Sequence, residues 1–201
     1  MSMCSDRSYR WICAAARAAL RILHPVVHIE GREHLLDGAA ILCCNHSGMS
    51  DPIWVIVWAR LKQLPQSMAK KELFQNKLLG WACDKLGAFP VDRGSADINA
   101  IKTAMQVLKS ENKLLIFPEG TRVKRGQQVE PHSGALLIGA RMKAPIIPVY
   151  LSVKRRLFGP VRLVFGEPYF PEYAGAKPTN EELELRTAEL MEKIYQMGEQ
   201  A

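Results

Sequence analysis

The sequence predicts a single α/β domain, a mixed or mostly parallel sheet flanked by helices, with an amphipathic helix at its N-terminus. Short apolar runs alternate with stretches of helical periodicity. The alternation runs through a chain of 201 residues that shows no linker, repeat or low-complexity segment. Polar residues that packing does not require recur just after the apolar runs. A chain of this length can bury one sizeable core, and it divides into residues 1–24, the N-terminal helix, and 25–201, the domain.

Residues 7 to 23 read as a helix. At about 100° per residue, Arg10, Arg17 and Arg21 fall on nearly one line with Arg7 beside it, while Trp11, Ile12, Leu20, Ile22 and Leu23 point elsewhere. Arg17 interrupts the apolar run after six residues, too soon for a secretory signal or for a span of about 20 residues. Such a helix either docks on the domain or lies in a lipid interface. His24-Pro25 ends it. Val26–Glu30 alternates as a strand, Gly31–Gly38 is a polar turn, and Ala39–Cys44 reads as a buried strand.

A helix follows from Asp51 to about Leu61, then a loop at Pro65 and Gln66, with Met68–Lys71 leading into an amphipathic stretch, Glu72–Leu86. Gly87–Gly94 contains a short strand, and Ser95 is placed to cap a helix running to Lys109. Lys113–Phe117 is a strand and Gly134–Met142 a small-residue helix. Pro145–Leu151 and Val161–Phe165 are strands, and Thr179 with Glu182 forms a capping box for the last helix, Pro178–Met197.

Composition narrows the partners. With 27 Lys and Arg against 20 Asp and Glu, the net charge of +7 favours anionic partners: phosphate groups, anionic headgroups or nucleic acid. Five cysteines with no CxxC argue for a reducing compartment rather than a disulfide framework. Cys43, Cys44 and His46 lack a second ligand pair, so no metal is expected. Neither GxGxxG nor GxxxxGK[ST] occurs, which removes the support for a nucleotide site. The arginines outside the first helix lie in strand-end turns beside carboxylates rather than on a continuous surface with stacking aromatics, so nucleic acid is not an expected partner.

The sharpest local feature is Asn45–Asp51, NHSGMSD, on the passage from a strand into a helix. A tight turn there brings Asp51 back to His46, fixes the imidazole tautomer and leaves the other ring nitrogen facing a pocket. The plainer alternative is a capped helix, with Asp51 as N-cap and Pro52 in the first turn. No nucleophile is adjacent. Two further strand ends carry Asp92 with Arg93, and Glu119 with Thr121 and Arg122. In α/β sheets ligands bind beyond strand ends, so these loops are expected to share a cleft, although each arginine could instead pair with its neighbouring acid.

HxxxxD at His46–Asp51, GAFPVDRG at Gly87–Gly94, FPEGTR at Phe117–Arg122 and APIIPVY at Ala144–Tyr150 resemble, in order and spacing, the four blocks of the glycerolipid acyltransferase family, most closely the bacterial 1-acyl-sn-glycerol-3-phosphate acyltransferases. The resemblance implies His46 as general base and Asp51 as its orienter. It implies that Lys70, Arg93, Glu119, Gly120, Thr121 and Arg122 bind the acceptor's glycerol phosphate. The substrates implied are lysophosphatidate and an acyl-CoA or acyl carrier protein thioester, with no cofactor, and the product is phosphatidate acylated at the 2-hydroxyl. The absent nucleophile is then explained, because the acceptor brings its own hydroxyl. Lipid substrates imply a peripheral protein on the cytoplasmic face of the cell membrane, meeting anionic lipid through residues 7 to 23.

Two departures stand out: Gly48 where the family often has serine, and His132 where lysine is usual. Another lyso-lipid acceptor, or a non-catalytic basic module that binds lipid headgroups, is the rival expectation.

Overall fold

The computed structural model describes residues 6–62, 64–92, 97–123, 127, 129–175 and 177–199, with only the helical backbone at 6–10. Its centre is a seven-stranded sheet built from β1 (Val27–Glu30), β2 (Ala40–Cys44), β3 (Gln66–Lys70), β4 (Ala88–Val91), β5 (Lys113–Ile116), β6 (Ile146–Leu151) and β7 (Val161–Phe165). The strand order is β1-β7-β6-β2-β5-β3-β4. Every described pairing is parallel except β6 with β7, which is antiparallel. The expected fold class, a mostly parallel sheet flanked by helices, is the observed one.

Strands β2 and β5 are buried along their whole length because both sheet faces are covered; β2 is an unbroken apolar run, and β5 is apolar after Lys113, whose ammonium donates to the Gly38 carbonyl at 2.7 Å. On one face, Leu42 and Cys44 pack with α1 (Asp6–Leu23) and α2 (Asp51–Ala59). On the other, Ile41 and Cys43 pack with α4 (Ile98–Lys109), α5 (Gly134–Met142) and α6 (Asn180–Glu199). The short helix α3 (Lys77–Lys85) lies against β4. Parallel pairing brings the carboxyl ends of β6, β2, β5, β3 and β4 to one sheet edge. The described parts of all four sequence blocks, with Lys70, therefore lie on these strands or in the turns beside them.

Several local expectations change. Gln66–Lys70, expected as loop and lead-in, is a sheet strand. The single stretch 72–86 is instead a 3₁₀ turn, Lys71–Gln75, followed by α3, because the Asn76 side chain accepts from the N–H groups of Leu78 and Leu79 and starts a new helix. Helix α4 begins at Ile98 under an Asp97 cap that accepts from Asn99 and Ala100. Ser95, expected to cap it, lies outside the described residues, as does Arg93. The capping box holds: Thr179 N–H donates to Glu182 at 2.8 Å and Glu182 N–H to Thr179 Oγ1 at 3.2 Å.

Two arginines of helix α1, Arg17 and Arg21, reach α2. Arg17 donates to the Val57 carbonyl at 2.9 Å, and the Arg21 guanidinium lies 5.1 Å from the centre of the Trp58 ring. Cys13 is buried, with Ala16 and Leu20 packed on the core. The two arginine contacts tie the helix to α2, so the expected basic stripe is partly engaged by the domain, with Arg17 half-buried and Arg21 still exposed. Beside Arg21 the outer surface carries an apolar arc: Trp11 is 73% and Ile22 72% exposed, with Ile12, Ala15, Ala18, Ala19 and Leu23 on the same arc.

Candidate active site

The His46–Asp51 pair sits where β2 gives way to α2. Pro52 stands in the first turn of α2, and Ser50 rather than Asp51 occupies the N-cap position. That frees the Asp51 carboxylate to fold back into the preceding turn. Its Oδ2 meets His46 Nδ1 at 2.9 Å and accepts the backbone N–H groups of Ser47 at 2.6 Å and Gly48 at 2.7 Å. Its Oδ1 pairs with the guanidinium of Arg155. The carboxylate is fully buried, and both of its oxygens have partners. Burial by itself raises the Asp51 carboxyl, but the His46 hydrogen bond, the Arg155 charge and the two backbone donors outweigh it and hold the group below its ordinary value.

An acceptor on Nδ1 selects the tautomer with the proton there, so Nε2 carries the lone pair. Among the described residues Nε2 has no hydrogen-bond partner. The imidazole stacks on Phe117, with ring centres 4.4 Å apart and planes at 30°. A histidine with one nitrogen anchored to a buried carboxylate and the other unengaged can take a proton from a bound hydroxyl.

The turn after β5 holds His46 by its backbone. His46 N–H donates to Glu119 Oε2 at 2.6 Å, and Val123 N–H donates to the His46 carbonyl at 2.8 Å. Glu119 is 3% exposed, and its other oxygen accepts the hydroxyl of Tyr195 from α6. Burial pushes the Glu119 carboxyl up, against the pull of Tyr195 and the His46 N–H. Gly120 has φ +62°, and a Cβ there would lie 2.6 Å from the His132 ring, so glycine is required on both counts. The His132 N–H in turn donates to Pro118 O at 2.7 Å.

Of the residues expected at the site, His46, Asp51 and Glu119 are in direct contact, with Gly120, Thr121 and Arg122 in the turn that closes on His46. Thr121 and Arg122 are exposed. Lys70 ends β3 at the same edge, half-exposed, 3.2 Å from Glu72. The fourth block, Ala144–Tyr150, contributes the core strand β6 beside β2. Sequence reasoning missed Arg155 and Tyr195, whose contacts span 104 and 76 positions along the chain. The one signal for Arg155 was the gap at Gly48.

No protein nucleophile reaches His46 Nε2 among the described residues. Cys43 and Cys44 are fully buried, and burial pushes both thiols up, with the Asp51 and Glu119 charges adding to the effect at Cys44. The Ser47 hydroxyl faces Arg155 Nη1 at 3.3 Å. Among the described residues, no group of three or more His, Cys, Asp or Glu is placed to hold a metal ion.

The fold and site together define an α/β domain with a buried carboxylate–histidine pair at its strand ends and, among the described residues, no nucleophile beside it. Residues 26–152 match the family model described as Acyltransferase, and the chain belongs to that family. It is 35% identical over 191 residues to a 1-acyl-sn-glycerol-3-phosphate acyltransferase of Bacillus subtilis (strain 168), covering 92% of this chain and 94% of the relative. A Streptococcus pneumoniae protein of the same name is 36% identical over 138 residues, 66% of this chain; the match spans 50% of that longer protein. The fold matches the crystal structure of the 1-acyl-sn-glycerophosphate (LPA) acyltransferase PlsC from Thermotoga maritima with a TM-score of 0.70 at 22% identity, covering 98% of this chain and 84% of that one.

Proposed function

We propose that this protein transfers a fatty acyl group from an acyl-CoA or acyl carrier protein thioester to the 2-hydroxyl of 1-acyl-glycerol-3-phosphate, giving phosphatidate. The observation that carries the reaction type is His46, fixed through Nδ1 on a buried carboxylate with Nε2 unengaged. The near full-length match to the Bacillus relative supports the acceptor. Nε2 removes the hydroxyl proton as the oxygen attacks the thioester carbonyl, a C–O bond forms, and collapse of the tetrahedral intermediate breaks the C–S bond. The proton held by the imidazole goes to the leaving thiolate. Asp51 remains an anion throughout, orienting the ring and offsetting its transient positive charge.

Lys70, Arg93 and Arg122 are assigned to the acceptor phosphate, because cationic donors, and guanidinium forks above all, suit phosphate oxygens. Thr121 and the backbone around Gly120 shape the same turn. Glu119 belongs to this assembly as the anchor of the His46 backbone, since a buried carboxylate with both oxygens engaged offers nothing to a phosphate. Arg122→Ala is expected to raise KM for the acyl acceptor by about tenfold or more, about 1.5–3 kcal/mol for a charged hydrogen bond, while KM for the thioester moves much less. Initial rates with each substrate varied in turn check this, and equal losses toward both would reject the assignment.

Helix α1 and the domain that follows it work as one unit on a lipid surface. Among the described residues no helix is long and apolar enough to cross a membrane, and the outward arc of α1 supplies the apolar contact instead. Phe158 N–H donates to the Leu23 carbonyl at 2.8 Å, which sets the exposed Leu157 and Phe158 beside that arc. Exposed Lys154 and Arg156 add about 1 kcal/mol each on an anionic surface. The protein then binds the cytoplasmic face of the cell membrane peripherally. Trp11→Glu is expected to weaken co-sedimentation with anionic vesicles by about tenfold or more, with salt weakening it further. Unchanged sedimentation of a folded variant would place the contact elsewhere.

The test of the reaction itself is a panel. Purified protein in detergent should convert lysophosphatidate faster than other lyso-lipid acceptors, with product identified by mass spectrometry. Preference for a different lyso-lipid would move the acceptor assignment and leave the chemistry standing.

A further inference from the structure

We propose that Arg155 is a positioning residue for the catalytic pair and that Gly48 is the opening through which it reaches Asp51. The two form one device, absent from the sequence pattern that names the family's first block. Arg155 follows β6, the strand beside β2, and it is 10% exposed. Its Nη2 pairs with Asp51 Oδ1, while Nη1 donates to the Ser152 carbonyl at 2.5 Å and to Ser47 Oγ at 3.3 Å. Ser152 is itself fastened to β7, where its N–H donates to Arg162 O at 2.9 Å and its Oγ accepts the Arg162 N–H at 2.8 Å. The guanidinium is thus held from the sheet and braces the outer oxygen of a carboxylate whose inner oxygen carries His46.

Gly48 is what makes room. A Cβ at position 48 would stand 2.7 Å from Arg155 Nη2 and 3.3 Å from Asp51 Oδ1. Any side chain there meets the guanidinium. Position 48 is also where the resembled family often carries serine, so in this chain a small residue on one loop and a cation on another occupy the same space together.

A carboxylate held only by His46 and two backbone N–H groups can rock about its Cβ–Cγ bond. Pairing Oδ1 with a guanidinium that is itself held by the Ser152 carbonyl stops that motion, because the second oxygen is then fixed as well as the first. Its charge helps hold Asp51 as the anion that the imidazole faces, and taking that cation away leaves less to oppose a positive charge nearby, which is what the pH profile of a variant reads. The other titratable groups facing this pair are Glu119 from the turn after β5, Cys44 from β2 and Tyr195 from α6. None of them is altered by the substitutions below.

This inference rests on the acyltransferase reading of the site, and the experiment separates the two. Arg155→Gln, Arg155→Lys, Gly48→Ser and the double variant Gly48→Ser/Arg155→Gln are compared with wild type by thermal melting, by kcat and KM across pH, and by NMR titration of the histidine rings. Arg155→Gln is expected to lower kcat by about tenfold or more with little change in either KM, and to move the acid limb of the rate profile to higher pH. Lysine should restore part of the loss. Gly48→Ser should reproduce the glutamine variant, and the double variant should be no worse than either single, since both remove one contact. A folded Arg155→Gln with wild-type kcat and an unmoved acid limb overturns the proposal, as do single losses that multiply in the double variant. Should wild type transfer no acyl group, the functional reading fails. The ring titration then still decides whether Arg155 acts on His46, by shifting with Arg155→Gln or not.

Discussion

His46→Ala abolishes nearly all turnover while leaving the fold intact: kcat is expected to fall by about 10²–10⁴-fold, the usual contribution of a positioned general base. The imidazole is 13% exposed and contributes one side-chain hydrogen bond and a stacking contact with Phe117, so its loss unburdens Asp51 of a partner without opening the core. Arg155 and the Ser47 and Gly48 N–H groups still satisfy the carboxylate. Substrate binding, carried by other residues, should change little. Steady-state kinetics with a melting curve check both halves, and near-normal turnover in the folded variant contradicts the mechanism.

The second large effect falls on Asp51. Asp51→Asn is expected to cost activity about 10²-fold or more, because the amide can present a donor to Nδ1 and select the wrong tautomer. It should also cost stability, since Arg155 is left nearly buried facing a neutral group; breaking a buried pair from one side is worth about 3–5 kcal/mol. The pH dependence gives a separate signature. Asp51 is held below its unfolded value, so its contribution to stability is complete above about pH 4 and is lost as pH falls through its depressed native value. That part of the acid unfolding profile should be missing from Asp51→Asn. Identical acid profiles for the two proteins would show that the carboxylate is not the stabilised anion described here.

Most of this architecture was legible in local pattern. Strand β2, and β5 after Lys113, are short apolar runs, and the His46, Glu119 and Arg122 turns follow such runs directly, which is why the edge that gathers them could be expected. Strand β3 was not legible because Gln66, Ser67 and Lys70 break any apolar alternation; its pairing with β5 and β4 decides its conformation. The orientation of α1 was ambiguous for a different reason. Cys13, Ala16 and Leu20 make one apolar stripe, and Trp11, Ile12 and Ile22 another. Periodicity cannot choose which one docks, and arginine stems pack as readily as they solvate. Arg155 and Tyr195 were invisible because their partners, Asp51 and Glu119, are brought near only by the sheet order. Gly48 was noted as a departure, but nothing in one sequence says which side chain fills the space it leaves.

The central claim is that the acceptor hydroxyl attacks the thioester directly, with His46 as base and no residue of the protein acylated on the way. The measurement that meets it most squarely is the initial-rate pattern when acyl thioester and lysophosphatidate are varied together. Direct attack in a ternary complex predicts intersecting double-reciprocal lines and no acyl group on the protein when thioester is supplied alone. Parallel lines, with a stoichiometric burst of thiol release before acceptor is added, would mean a covalent acyl-enzyme and would contradict the account.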